Sequence, residues 1–508
     1  MESEQQDTNL EFVPILNHLP EIYHDNNGEV KQKHEGRFKN LKDRFKQIYG
    51  VVPKYFCRAP GRVNIIGEHI DYCGYSVLPA AIEQDFVMAY VLNEADEIEL
   101  NNIDKDQYPA EKISTDPFQK FKEGPHWINY FLCGYKAVLA IDEKYYSQVT
   151  KPRGLKIMID SLVPPAAGVS SSSAFTVCAS IVALHANGLE TKIPKGDLSK
   201  LCVLAERMAG TACGGMDQTI SIFAEKNQAK LIEFNPTLKA IDVKIPASVV
   251  LAIGNSLTPS PKLLTLGTRY NKRVVECRFA LLILALRTGD ISHAKEQKFK
   301  NFYEFQKHLG YSYQQMLELV SSHLQKGGYT PDKVKKELGI DDLTDLLKDI
   351  PYANEVISQN YQFHLFERAY HVFGEASRVY EFKELCDDET LDEAVKVQKL
   401  GQLMNDSHKS CRDLYDCSSP ELDEITQLSR DSGALGSRLT GAGWGGCSVS
   451  LIPKDNLEQF LDKVFTYYTK EREPGYQLWI TDDLERYLFA TQPGKGACIL
   501  DPQYCLWM

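Results

Sequence analysis

The 508-residue chain has no run approaching the roughly 18 consecutive apolar residues that mark a membrane-spanning helix, so no membrane partner is expected. It opens MESEQQDTNLEF, acidic and polar, without the charged-then-apolar order of a secretory signal, which makes the cytoplasm the expected compartment. Positive charge is scarce: 57 Lys and Arg against 69 Asp and Glu give a net charge of -12, which argues against a nucleic-acid partner. The 13 cysteines are odd in number and form no Cys-x-x-Cys pair, so neither a disulfide framework nor a zinc site is indicated. No GxxxxGK[ST] phosphate loop occurs, no internal repeat is visible, and low complexity is limited to the serine run at 170–173. The final Cys505-Leu506-Trp507-Met508 fits the C-a-a-X lipidation pattern, but no polybasic segment precedes it and a packed or frayed tail is expected.

What remains is an ordinary globular composition, 43% hydrophobic and 25% charged, in a chain too long for one core. Residues 1–35 read as an N-terminal extension whose apolar Phe12, Val13, Ile15 and Leu16 dock on the body. Residues 36–49 read as a helix ending near Gly50. Short apolar runs broken by glycine and proline (86–92 and 155–159 strand-like, 174–184 a buried helix) place a mixed α/β lobe over 36–260. From about 270 the texture turns helical, so a second lobe spans 261–508, with a helical excursion at 313–350 and strands at 447–452 and 476–480.

Residues 61–79, GRVNIIGEHIDYCGYSVLP, crowd Arg62, Glu68, His69 and Asp71 into ten positions. Ionised groups are rarely buried without partners, and donors and acceptors converging on one turn suit a small polyhydroxylated ligand. Residues 164–174, PPAAGVSSSSA, precede the apolar helix; read alone they are a serine-rich cap, and beside the first motif they are an anion cradle built from Gly168, Ser170, Ser171, Ser172 and Ser173. In CGGMDQ at 213–218, two glycines let the backbone approach a ligand while Asp217 points inward. Residues 441–446, GAGWGG, satisfy the literal dinucleotide pattern but run into the strand-like CSVSLI, which is the wrong context for it.

Three of these stretches, 61–79, 164–174 and 441–446, resemble in order the motifs of the GHMP family of small-molecule kinases, the last implying a glycine loop of the second lobe that supports the phosphate loop, and 61–79 is similar to the galactokinase signature. The resemblance implies an α+β fold of two lobes: an N-terminal lobe with a left-handed βαβ unit, an exception to the usual handedness, and a C-terminal ferredoxin-like lobe with added helices. It implies ATP held by the serine loop, with Ser173 and Glu206 on magnesium (Mg2+). It further implies Asp217 as catalytic base with Arg62 beside it, and a sugar held by Arg62, Glu68, His69, Asp71, Gly214, Asp217 and Tyr270. Phosphoryl transfer to galactose is the expected reaction, and a monomer the expected state. WINYFLCG at 127–134, SCRDLYDC at 410–417 and SRLTGAGWGGC at 437–447 also resemble N-acetylgalactosamine kinases, which stay open as an alternative; the bulk of Tyr270 favours galactose. A non-catalytic galactose sensor is the second alternative, disfavoured by the full-length serine loop.

Overall fold

The computed structural model describes residues 8–24, 28–124, 126–210, 213–260, 269–289, 298–359, 362–471 and 487–501. A seven-stranded sheet in the order β1-β13-β2-β3-β6-β4-β5 supports the first lobe. Its strands are β1 (Ile15–Leu16), β2 (Tyr55–Ile66), β3 (Leu78–Asn93), β4 (Glu97–Asn102), β5 (Glu111–Ser114), β6 (Gly154–Ser161) and β13 (Cys498–Leu500). Successive strand residues face opposite sides, and both sides of β3 are apolar, so both faces of the sheet are covered. Val87 and Ala89 pack with Phe38, Leu41 and Phe45 of the Glu29–Tyr49 helix. Phe86, Met88 and Tyr90 turn to the larger core, which includes Phe131, Phe175 and Val177 of the helices Ile128–Leu139 and Ser171–Ala186.

A two-stranded ribbon joins β7 (Ala229–Glu233) to β8 (Lys239–Val243). The second lobe is built on an antiparallel sheet in the order β10-β11-β9-β12: β9 (Val249–Asn255), β10 (Gly436–Leu439), β11 (Cys447–Pro453) and β12 (Leu488–Thr491). Long helices Asn271–Arg287, Leu365–Asp387 and Glu393–Ser410 complete it, and 313–350 holds the short helices Tyr313–His323 and Pro331–Leu338. Among the described residues no helix is long and apolar enough to cross a membrane.

The structure redraws the expected lobe boundaries. Val249–Asn255, assigned to the first lobe, pairs along its whole length with β11 of the second, because its residues are buried on both sides and need a neighbour on each edge. The chain then returns: β13 pairs with Arg58, Cys57 and Phe56 of β2, and β1 adds beside β13. The first helix begins at Glu29, inside the expected extension, and ends at Tyr49 with Gly50 left-handed at its cap. Of the four apolar residues expected to dock, Val13 is buried in the core and Leu16 packs partly buried against the cluster under the first helix, while Phe12 and Ile15 stay exposed; pairing of β1 with β13 adds to this hold. The strand expected at 476–480 and the tail at 505–508 lie outside the described residues.

Candidate active site

Strand β2 slips register between Pro60 and Arg62, a bulge that re-aims the Arg62 side chain out of the ladder. Its Nε donates to Asp217 Oδ1 at 2.8 Å and its Nη1 to the Gly168 carbonyl at 2.6 Å. Asp217 lies in the first turn of the Met216–Phe223 helix, so a guanidinium from one motif joins a carboxylate from another to the serine loop. The pair sits in the wall between two cavities, with Arg62, Asp217 and Ala442 lining both.

The first cavity is faced by Glu68, His69, Asp71 and Tyr270, four of the expected sugar residues. Gly214 does not line it; it stands behind Asp71, where a Cβ would lie 2.4 Å from the Asp71 carboxyl carbon, so only glycine allows this approach. Tyr270 is buried, its ring 5.5 Å from that of His69 and 5.7 Å from that of Tyr72. His69 Nε2 donates to the Ala442 carbonyl at 2.9 Å and Nδ1 lies 3.0 Å from the Tyr72 hydroxyl, so both ring nitrogens already meet protein groups. The resemblance implies a sugar hydrogen bond from His69, and the ring that would make it packs against those of Tyr270 and Tyr415. Glu68 Oε2 lies 3.0 Å from Arg438 Nη2 of β10. Burial pushes its carboxyl up to about 7, against the opposing pull of Arg438 and Arg62.

The second cavity, about 430 Å3, is floored by Gly168, Ser170, Ser171 and Ser172 at the start of the Ser171–Ala186 helix. Ser170 is left-handed at the cap position (φ 59) and its buried Oγ has no partner among the described residues, which fits an anion at this helix start. Ser173, expected with the other serines, turns away into the protein: it is 1% exposed and its Oγ donates to Glu206 Oε2 at 3.1 Å. The helical period rotates it off the face its three predecessors present. A hydroxyl beside a carboxylate is an oxygen donor set that suits a hard divalent cation completed by phosphate oxygens, so these two residues fit the implied metal.

The galactokinase galactose-binding signature matches residues 43–91. A galactokinase of Dictyostelium discoideum is 40% identical over 508 aligned residues, covering 96% of this chain and 97% of its own. The chain belongs to the galactokinase family. A second member, from Candida parapsilosis, is 35% identical over 92% of this chain and 95% of its own. The GHMP kinase N-terminal and C-terminal domains match residues 129–225 and 393–470. In fold, the chain matches the crystal structure of Lactococcus lactis galactokinase complexed with galactose, with a TM-score of 0.67 at 23% identity, covering 91% of this chain and 99% of that one.

One feature of this galactokinase-family site was not assigned a role from sequence. The wall of the larger cavity is aromatic: Phe86 and Phe175 stack at 5.0 Å and 4°, and Trp127 lies nearly parallel to Phe175 (13°) at 6.1 Å. The buried Trp127 Nε1 has no acceptor among the described residues. The only signal was the tryptophan opening WINYFLCG, and a helix-start aromatic is ordinarily core. The glycine loop at 441–446, whose resemblance implies support of the phosphate loop, packs directly on the serine loop. A Cβ on Gly441 would lie 2.1 Å from the Gly168 carbonyl oxygen, so the glycine there is a requirement of backbone contact between lobes and not of a dinucleotide.

Proposed function

We infer that the chain transfers the γ-phosphoryl group of ATP to the anomeric hydroxyl of α-D-galactose, giving ADP and galactose 1-phosphate. The observation that carries this reading is the Arg62–Asp217 pair in the common wall of the two cavities, where a sugar on one side and a triphosphate on the other would meet. The flat aromatic wall suits a purine, and the Trp127 N–H is a ready donor to it. The serine loop and the start of its helix suit the phosphates.

Asp217 accepts the proton of the anomeric hydroxyl as that oxygen bonds to the γ-phosphorus and the bond to ADP breaks. Arg62 orients this carboxylate and offsets charge on the transferring group. Glu206 and Ser173 would hold magnesium, which when bound neutralises phosphate charge. Asp71 and Glu68 hold the hexose, and Tyr270 closes the pocket around it. A buried tyrosine packed on two rings leaves little space for an N-acetyl substituent, which favours galactose over N-acetylgalactosamine.

ADP release measured with each sugar tests the assignment. Galactose is expected to support turnover with the higher kcat/KM. A higher value on N-acetylgalactosamine would replace the substrate, and no ADP release with either sugar would leave a binding protein in place of an enzyme.

A further inference from the structure

The loop that carries Glu68 and His69 is held from the second lobe as well as by its own. Gly67 has φ 109 and His69 has φ 63, both in the left-handed region, which a non-glycine residue adopts only when its surroundings impose it. The imposing groups come from more than 300 residues away. On the Leu365–Asp387 helix, His371 and Glu375 are one turn apart and face the same way. Glu375 Oε1 accepts from Gly67 N at 2.9 Å and Glu68 N at 3.3 Å. His371 Nε2 lies 3.0 Å from the Glu68 carbonyl, to which it donates. One helix face thus presents an acceptor and a donor to consecutive peptide groups of the loop.

Both groups are fixed in turn. Ser407 donates to Glu375 Oε1 at 2.6 Å, and Arg378 Nε donates to Oε2 at 2.8 Å. His371 Nδ1 is 2.8 Å from Ser410 Oγ. Arg438 extends the cluster, with Nε on Ser407 Oγ at 3.0 Å, Nη1 on the Asn64 carbonyl at 2.8 Å and Nη2 on the Glu68 carboxylate. Glu375, His371 and Arg438 are fully buried. Burial pushes His371 down to about 4, while Arg378 and Arg438 overcome the effect of burial on Glu375 and hold it at about 2; the charges match the donor and acceptor roles.

We propose that His371 and Glu375 are positioning residues for sugar recognition: a template on the second lobe that imposes the loop conformation and so aims Glu68, His69 and Asp71 at the hexose. This rests on the reading of that loop as the sugar site. It separates the two substrates, because neither residue lines the larger cavity.

The test is steady-state kinetics on the full chain with Glu375→Gln and with His371→Phe, which keeps a ring but removes the donor. Each is expected to raise KM for galactose about tenfold, lower kcat less than about threefold and leave KM for ATP within about twofold. His371→Gln restores an N–H and is expected to recover most of the loss. Equal weakening of both substrates, no change in either, or no recovery with glutamine would overturn the proposal. Circular dichroism and melting check folding; if Glu375→Gln does not fold, the two His371 variants decide. Glu68→Gln separates the premises: an unchanged galactose KM there sinks the sugar-site reading, whereas a raised one beside unaffected Glu375 and His371 variants sinks the template alone.

Discussion

Asp85 and Asp217 are both arginine-bound aspartates of the first lobe, and their surroundings differ. Asp85 on β3 has an entirely buried side chain, held by Arg37 Nη1 at 2.6 Å, Arg58 Nε at 2.5 Å and the Tyr23 hydroxyl at 2.6 Å. Burial alone would raise its carboxyl, yet the two guanidinium groups hold it below the ordinary carboxylate range. Every oxygen is satisfied, and the partners come from the N-terminal helix, β2 and the segment before it. Arg58 also reaches the carbonyls of Lys495 and Gly496, so one ion cluster ties both ends of the chain to the sheet. Asp217 has Arg62 at 2.8 Å and a side chain 15% exposed, with cavities on both sides. The same pair of residue types fastens the fold where it is enclosed and lines two cavities where it is open.

The largest expected effect comes from the open pair. Asp217→Asn should lower kcat roughly a thousandfold while the melting temperature and sugar affinity stay close to those of the parent chain. Near-normal turnover would remove the functional half of the contrast.

The enclosed pair should behave in the opposite way. Asp85→Asn leaves two guanidinium groups buried with less charge to face and should cost about 3–5 kcal/mol in urea unfolding, with kcat of the folded protein little changed. A variant as stable as the parent would show that enclosure adds nothing. An intermediate case is Glu206, buried and accepting a hydrogen bond from Ser173. Glu206→Gln should raise the magnesium concentration needed for half-maximal rate about tenfold, read by metal titration at saturating ATP.

The smallest effect concerns His34, stacked on Tyr23 at 3.5 Å beside the Asp85 cluster. Burial pushes its imidazole down to about 4. The unfolded chain therefore binds the extra proton first, so its neutral form stabilises fully above the ordinary value near 6.5, and that contribution is lost as pH falls toward 4. His34→Phe keeps the stack and should be more stable than the parent at pH 5 by on the order of 1 kcal/mol, with the difference vanishing above pH 7. A constant difference at all pH values would exclude the titration.

Much of the site was legible because its parts are local. The motif at 61–79, the serine loop and Asp217 each hold their residues within a few positions, where glycines and polar groups interrupt apolar runs. The Arg62–Asp217 pair was expected and is formed, and Ser173 and Glu206, expected on one magnesium ion, are hydrogen-bonded to each other. The lobe boundaries were less legible, since β9 and β13 look alike as short apolar runs and only pairing assigns them to different sheets. His371, Glu375 and Arg438 were invisible: in sequence they are unremarkable polar residues on helices and a strand.

The amino-acid order alone therefore determined which chemical groups this member of the galactokinase family carries, and which of them share a turn, because glycine, serine and charge act on their immediate neighbours. Tertiary structure decided which sheet each strand completes, which carboxylates are enclosed and which stay open, and what holds the 67–71 loop in its strained shape. Those depend on contacts between residues hundreds of positions apart, whose energies arise only once the two lobes have packed.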